Sequence, residues 1–353
     1  MGYLLTNKER KIMKNIHFPS NSPVNIQIKS DILRIFDKQL EICWQRDPSD
    51  PPANTDIFLF TDLQKVIKKK KMAEPVYIDD SLPHSNFAQD PHFSKDLSAD
   101  LFLNKEQLND LLLLTEFSRK SDLLTDLGMI HLQDQMLQSC NLSSWYILDR
   151  YRIPLSEHFQ FEAEYIKNMK CFSDFPVEIF YGTDHIGFKN NEIEIRIKMN
   201  KVIRSSMFDR SGWILDQKRI PLPIHSECSK KEMKQQLTDI VKKVPKYVGK
   251  RYLIPAFLFS SFEDQKEDKE NDAKKMKMVL RVDEKGDAEG DVSISVFSKP
   301  LPSEIRLCAV DLAAVWRKDL KWSIEKEQRF LYEETDTGVL IQRLQFLKSK
   351  GER

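Results

Sequence analysis

Glycine is scarce in this chain, ten residues in 353, which argues against the glycine-rich loops that cradle nucleotide phosphates. Cysteine is sparse as well. Cys43, Cys140, Cys171, Cys228 and Cys308 are odd in number, dispersed and never in a C-x-x-C pair. That pattern argues against a disulfide framework or a zinc ribbon and predicts reduced, buried thiols in a cytoplasmic protein. No apolar run approaches the roughly 18–20 residues a membrane helix needs. The longest stretches are Leu111–Leu114 and Leu253–Phe259, the second interrupted by Pro255. The N-terminal stretch is broken by Lys8, Glu9, Arg10 and Lys11 too soon for a secretory signal. Also missing are a P-loop, a dinucleotide fingerprint, a nucleophile elbow, an H-E-x-x-H pair and the kinase motifs. Their absence removes the locally encoded enzyme classes and leaves sites assembled from distant residues open.

What is present is an ordinary globular composition, 41% hydrophobic and 31% charged, which supplies a real core. Net charge is +1, so the chain as a whole has no strong electrostatic pull on nucleic acid or membrane. Its distribution is uneven. Residues 1–72 carry a net +5, residues 73–162 a net −9 and the remainder a net +5. Such asymmetry points to separate units.

Hydrophobic periodicity predicts an α+β fold: a mixed N-terminal unit over 1–78, a linker and helical connector over 79–149, and a β-rich unit over 150–353. Val24, Ile26 and Ile28 alternate with polar residues, the mark of a half-buried strand, and 32–36 and 57–60 read as further strands. Residues 104–117 read as a helix, and Ser121 reads as the cap of a second one carrying Leu123, Leu127, Ile130 and Leu137 on one face. Residues 159–165, 177–181 and 193–199 alternate, which predicts an antiparallel sheet or small barrel, with Asn190-Asn191 as a turn. Ser229 and Glu232 form a capping box at the head of an amphipathic helix over 229–244. The run 263–275 is almost wholly charged and reads as a loop. A hairpin pairs Met278 and Leu280 with Val292 and Ile294, a helical run lies near 322–331, and no repeat of fixed period is visible.

Candidate sites are few. His225 and Cys228 are three apart, but no second pair completes a tetrahedral metal site, and no metal or other cofactor is expected. Asp184, Glu194 and Arg196 suggest a divergent metal-dependent nuclease, although arginine stands where a deprotonatable lysine is wanted. The acidic turn over 283–291 offers oxygen ligands without the EF-hand spacing and reads as a solvated hairpin tip. Arg196, Arg204, Arg210 and Ser211 lie in or beside the predicted sheet, where arginine forks suit a phosphorylated ligand such as a cyclic dinucleotide, in the manner of a PilZ-type receptor barrel. Lys68, Lys69, Lys70 and Lys71 form the basic run available for nucleic-acid phosphates, with Lys65 and Arg10, Lys11 and Lys14 nearby. Taken together the sequence favours a non-catalytic binding or regulatory protein with a nucleotide-type ligand or a protein partner, ahead of nucleic acid.

Overall fold

A computed structural model describes residues 3–19, 23–46, 57–71, 74–78, 91–118, 125–141, 144–202, 211–226, 229–243, 247–248, 251–252, 256–261, 274–281, 291–297, 305–316, 319–325, 330–343 and 345–346. Along these residues one order of elements recurs three times: a strand, a helix, a run of strands whose last runs directly into a second helix, then further strands. The first pass comprises β1 (Tyr3–Leu4), α1 (Asn7–Asn15), β2 (Asn25–Ile28), β3 (Ile32–Phe36), β4 (Leu40–Gln45), β5 (Phe58–Leu59), α2 (Phe60–Lys69) and β6 (Tyr77–Ile78). The second comprises β7 (Leu97–Leu103), α3 (Lys105–Phe117), β8 (Met129–Gln133), β9 (Met136–Cys140), β10 (Ser144–Leu148) and β11 (Phe159–Glu162). It continues with the 3-10 helix Ala163–Cys171, β12 (Val177–Tyr181), β13 (His185–Lys189), β14 (Ile193–Lys198) and β15 (Asn200–Lys201). After the short α4 (Ser211–Leu215), the third begins with β16 (Arg219–Ser226), α5 (Lys230–Lys243), β17 (Tyr247–Val248) and β18 (Arg251–Tyr252). It ends with β19 (Ala256–Ser261), β20 (Lys274–Arg281), β21 (Asp291–Phe297), β22 (Ile305–Cys308), α6 (Ala309–Val315), β23 (Asp319–Glu325), β24 (Phe330–Glu334), β25 (Val339–Arg343) and β26 (Gln345–Phe346).

Strand pairing repeats with the element order. The orders β5-β2-β3-β4 and β22-β19-β20-β21 place the strand before the second helix beside the first strand of a three-strand meander. The orders β7-β12-β13-β14 and β16-β23-β24-β25 do the same with the strand before the first helix. The sheets are joined in one way at two places. β4 pairs with β14, Ile42 opposite Ile195, and β10 pairs with β25, Tyr146 opposite Leu340. In both, the last strand of one meander meets the last strand of another.

The chain forms two compact units. The first is Met1–Thr115, Lys120–Leu137 and Tyr151–Ser205; the second is Glu116–Arg119, Gln138–Arg150 and Ser206–Arg353. In the first unit the sheet β5-β2-β3-β4-β14-β13-β12-β7 turns one face inward. Ile193, Ile195 and Ile197 are buried while Glu194, Arg196 and Lys198 are half-buried, the period of two expected of a pleated strand with one wet face. Val24, Ile26, Ile28, Leu33 and Ile35 join that core, and α2 packs on β2 with Phe60, Leu63 and Ile67 buried at helical spacing. Each such side chain contributes roughly 1.5–3 kcal/mol. The β12–β13 hairpin needs a glycine at 187: a Cβ there would lie 2.1 Å from Cζ of Phe180, its cross-strand partner.

In the second unit Tyr146, Ile147, Trp316, Trp322, Leu331, Tyr332 and Ile341 are buried. Asp311, on α6, accepts from Asn141 Nδ2 at 2.8 Å and Ser144 Oγ at 2.6 Å, which fixes that helix to β10. β16 carries Pro221 and Pro223, two residues apart, so both missing donors face one edge of the strand. β16 pairs with β23 from Arg219 to His225, whereas β21 reaches it only beyond the prolines, at His225 and Ser226.

These findings replace the expected architecture of a mixed unit, a helical connector and a β-rich unit. The later part of the helix expected from Ser121 through Leu137 is instead the hairpin of β8 and β9. Asp134 and Gln135 at its tip have φ of 50° and 66°, the left-handed pair of a two-residue turn. The run near 322–331 is two paired strands, Ser323 opposite Tyr332. Alternation from Phe159 stops at Glu162, where the 3-10 helix begins, and helix α2 begins at Phe60 inside the stretch read as strand. Other expectations hold: α3 over 105–117, the β20–β21 hairpin with Met278 opposite Val292, and α5 with its capping box. In that box Ser229 N–H donates to Glu232 at 2.7 Å and Glu232 N–H donates to Ser229 Oγ at 3.3 Å. The α3 box was not foreseen: Asn104 and Gln107 exchange backbone-to-side-chain bonds of 2.8 and 2.9 Å. Among the described residues, no helix is long and apolar enough to cross a membrane.

Candidate nucleic-acid interface

The sequence-derived candidates fall in different places. Arg204 and Arg210 lie outside the described residues, as do Cys228 and residues 283–290 of the acidic turn; Ser211 opens α4, and only its backbone is described. Arg196, on the wet face of β14, is engaged by carboxylates from three directions: Asp96 at 2.9 Å, Glu41 at 3.4 Å, and Glu194 on its own strand. A phosphate ligand at Arg196 has to compete with all three. For the nuclease reading, burial pushes the Glu194 carboxyl up, Arg196 pulls it down, and Asp96 and Glu41 push it up again, for a net rise. Among the described residues, no group of three His, Cys, Asp or Glu is arranged to hold a metal. Cys43 and Cys171 are inert thiols, each pushed up to about 12, chiefly by burial.

The structure assembles one polar cluster that the sequence does not announce. His185, fully buried, lies between Asp96 Oδ1 at 2.8 Å from Nε2 and Asp184 Oδ1 at 3.0 Å from Nδ1, with Phe93 and Phe180 edge-on to its ring. Ser94 Oγ is 3.4 Å from Nδ1, which makes a serine, a histidine and two aspartates neighbours. The hydroxyl is not a nucleophile: it donates to Asp184 at 2.7 Å and accepts from Thr183 N–H at 2.9 Å. The cluster ties the strand-free segment 91–96 to the β12–β13 hairpin. Only glycine fits at 182, where a Cβ would lie 2.3 Å from the imidazole and from Ser94 Oγ.

Burial alone would raise both aspartates, but hydrogen bonds from Arg196 and His185 hold Asp96 low, and bonds from His185 and Ser94 hold Asp184 low. A carboxyl depressed in the folded state stabilises it above the unfolded value of about 3.9, and that contribution is lost as pH falls through the folded value. Thermal midpoints are therefore expected to fall more steeply below about pH 4 in the native chain than in Asp184→Asn. Parallel midpoint curves for the two would remove this account.

The basic candidates converge with others. In α2 the apolar stripe faces the sheet, and Lys65, Lys68 and Lys69 are exposed on the far side. Lys65 pairs with Asp62 at 2.9 Å, Lys70 is tied to Pro75 O at 2.8 Å, and Lys71 is exposed beyond the helix. α1 packs against α2 and against the 3-10 helix, so the three form one layer of the first unit. Gln64 on α2 donates to Met13 O at 2.8 Å and Ile16 O at 3.0 Å. Asn168 on the 3-10 helix accepts from His17 N–H at 2.8 Å and donates to His17 O at 2.9 Å. His17 is thus pinned where the three helices meet. Burial, then Lys167, Lys170 and Lys68, hold its imidazole below the usual histidine value, against an opposing pull from Glu164. Lys167 pairs with Glu164 at 2.8 Å, whereas Lys68, Lys69 and Lys170 have no ion pair among the described residues. The run 68–71 is legible in sequence; its meeting with Lys167 and Lys170, a hundred residues on, is not.

The architecture is that of the DNA polymerase sliding clamps. No protein-family model matches the chain, and no curated protein does. Solved structures do. The beta subunit of the DNA polymerase of Streptococcus pyogenes is 10% identical with a TM-score of 0.64, over 98% of this chain and 100% of that one. The DNA polymerase sliding clamp of Bacillus subtilis is 11% identical with a TM-score of 0.62, over 98% and 99%. The sliding clamp of Bartonella birtlesii, solved bound to griselimycin, is 14% identical with a TM-score of 0.63, over 98% and 100%. At such identities the likeness is one of fold, and it covers nearly all of both chains. It agrees with the recurring element order and overturns the expected fold class, small receptor barrel included.

Proposed function

We propose that this chain works as a sliding-clamp-type protein: a non-catalytic platform that lies along duplex DNA and presents a DNA polymerase or a similar replication protein with a binding surface. The observation that carries the reading is the fold match, which covers 98% of this chain and 99–100% of the matched chains. The basic helical layer of the first unit supports it. Lys68, Lys69 and Lys170 stand exposed without ion pairs among the described residues, and Lys167 lies beside them. Phosphate contacts of this kind are sequence-independent, position the protein without reading bases, and suit a protein that moves along DNA.

The test is duplex binding measured by fluorescence anisotropy as salt is raised. The expected result is binding at low ionic strength with a linear fall of log K against log salt, indifferent to base sequence. A chain that leaves a labelled duplex free at the lowest salt sinks the proposal.

A further inference from the structure

We infer that His17 is itself part of the phosphate-contacting surface and takes up a proton when a nucleic-acid backbone binds there; the inference rests on the nucleic-acid reading above. The geometry places it there. The backbone of His17 is held on both sides by Asn168, Gln64 fixes the turn before it at Ile16, and Phe18 after it packs edge-on to Phe60 at 6.0 Å. The residue itself remains exposed. Its backbone is therefore held beside Asn168, next to Lys167 and two residues before Lys170, with Gln64, one turn before Lys68, bonded to the preceding residue.

The charged groups acting on that ring are Lys68 from α2 and Lys167, Lys170 and Glu164 from the 3-10 helix, three cations against one acid that is already paired with Lys167. In the free protein these ammonium groups and partial burial both oppose an imidazolium, so His17 is kept neutral more than an isolated histidine is. A run of phosphates laid over the lysines reverses the field. Each phosphate cancels an ammonium and adds an anion within reach of the ring, so the bound complex favours His17 protonated. Binding and protonation then promote each other by the same factor, as linkage requires. The sign follows: the imidazole titrates lower in the free chain than in the complex, so affinity rises as pH falls through that interval, and above it the coupling vanishes. Histidine is the side chain for which such an interval lies near neutral pH.

The experiment uses the full chain and a fluorescein-labelled duplex oligonucleotide at constant ionic strength, with affinity measured from about pH 8 to about pH 5.5, for the native chain and His17→Gln. The native chain is expected to tighten several-fold more than His17→Gln as the pH falls across this range. The thermal midpoint of His17→Gln is expected to match the native one, since the bonds that hold residue 17 are made by its backbone. Identical pH profiles for the two chains, with binding present in both, overturn the role of His17 and leave the interface standing. No binding by either chain at any pH overturns the interface, and this inference with it.

Discussion

Removing Lys68, Lys167 and Lys170 together, by alanine at each, is expected to lower the slope of log K against log salt by about 2.7, since each phosphate contact to duplex DNA contributes about 0.9. Over a fourfold rise in salt, the native chain is expected to lose about 40-fold more affinity than the triple variant. The effect is large because the three residues come from two elements that both pack on α1, bonded to its end through Gln64 and Asn168. All three are surface side chains outside the core, so folding is expected to survive. Lys189→Ala is the matched control. That lysine is paired with Glu178 at 3.4 Å on the sheet, away from the helical layer, and its loss is expected to leave the slope unchanged. A triple variant with the native slope would show that these lysines touch no phosphate.

The second large effect concerns stability. Arg46 and Glu9 form an ion pair whose side chains are 1% and 4% exposed. The guanidinium also donates to Tyr3 Oη at 2.6 Å, Lys29 O at 2.9 Å and Ser30 O at 3.0 Å, which ties β4 to β1 and to the β2–β3 turn. Glu9 in turn accepts from Thr6 N–H at 2.8 Å and from the Tyr3 hydroxyl at 2.9 Å. Burial and the Glu9 carboxylate drive that hydroxyl far above its ordinary range, so it stays a donor. Arg46→Ala strands a carboxylate in the interior and is expected to cost about 3–5 kcal/mol. In urea this appears as a lower midpoint with the slope unchanged. Pairing Arg46→Met with Glu9→Gln removes both charges while keeping the capping function at residue 9, and is expected to recover most of the loss. A double variant no more stable than Arg46→Ala would mean that the arginine acts through its carbonyl bonds alone.

Much of the local structure is legible in the chain because the signals for it are local. The Ser229–Glu232 box, the turn at Asn190 and the alternation of Ile193, Ile195 and Ile197 each involve neighbours a few residues apart. Sequence reading goes astray where burial is two-sided. Every residue of β9 is buried, so no alternation marks it as a strand, and the leucines around it fall by chance at helical spacing. Likewise Trp322, Ser323, Ile324 and Glu325 are all buried on β23. The threefold order is invisible for another reason: it resides in which strand sits beside which, and different side chains meet that requirement in each repeat. The candidate site divides the same way. Lysines 68–71 stand out as a run, whereas Lys167, Lys170 and His17 join them only through the packing of α1 on two other helices. His185 and its two aspartates come together from segments some ninety residues apart.

The two joints between meanders, β4 to β14 and β10 to β25, are made of main-chain hydrogen bonds between strand edges. Every residue but proline carries the donor and acceptor such a bond needs, so the joint constrains register and burial and asks almost nothing of side-chain identity. An architecture fastened in this manner is robust to drift. Its amino acids can be exchanged nearly wholesale while the blueprint persists, which is the condition in which this chain stands beside the clamps at 10–14% identity. Proline costs such a joint a hydrogen bond wherever its nitrogen faces the partner strand, and neither member of either pair contains it.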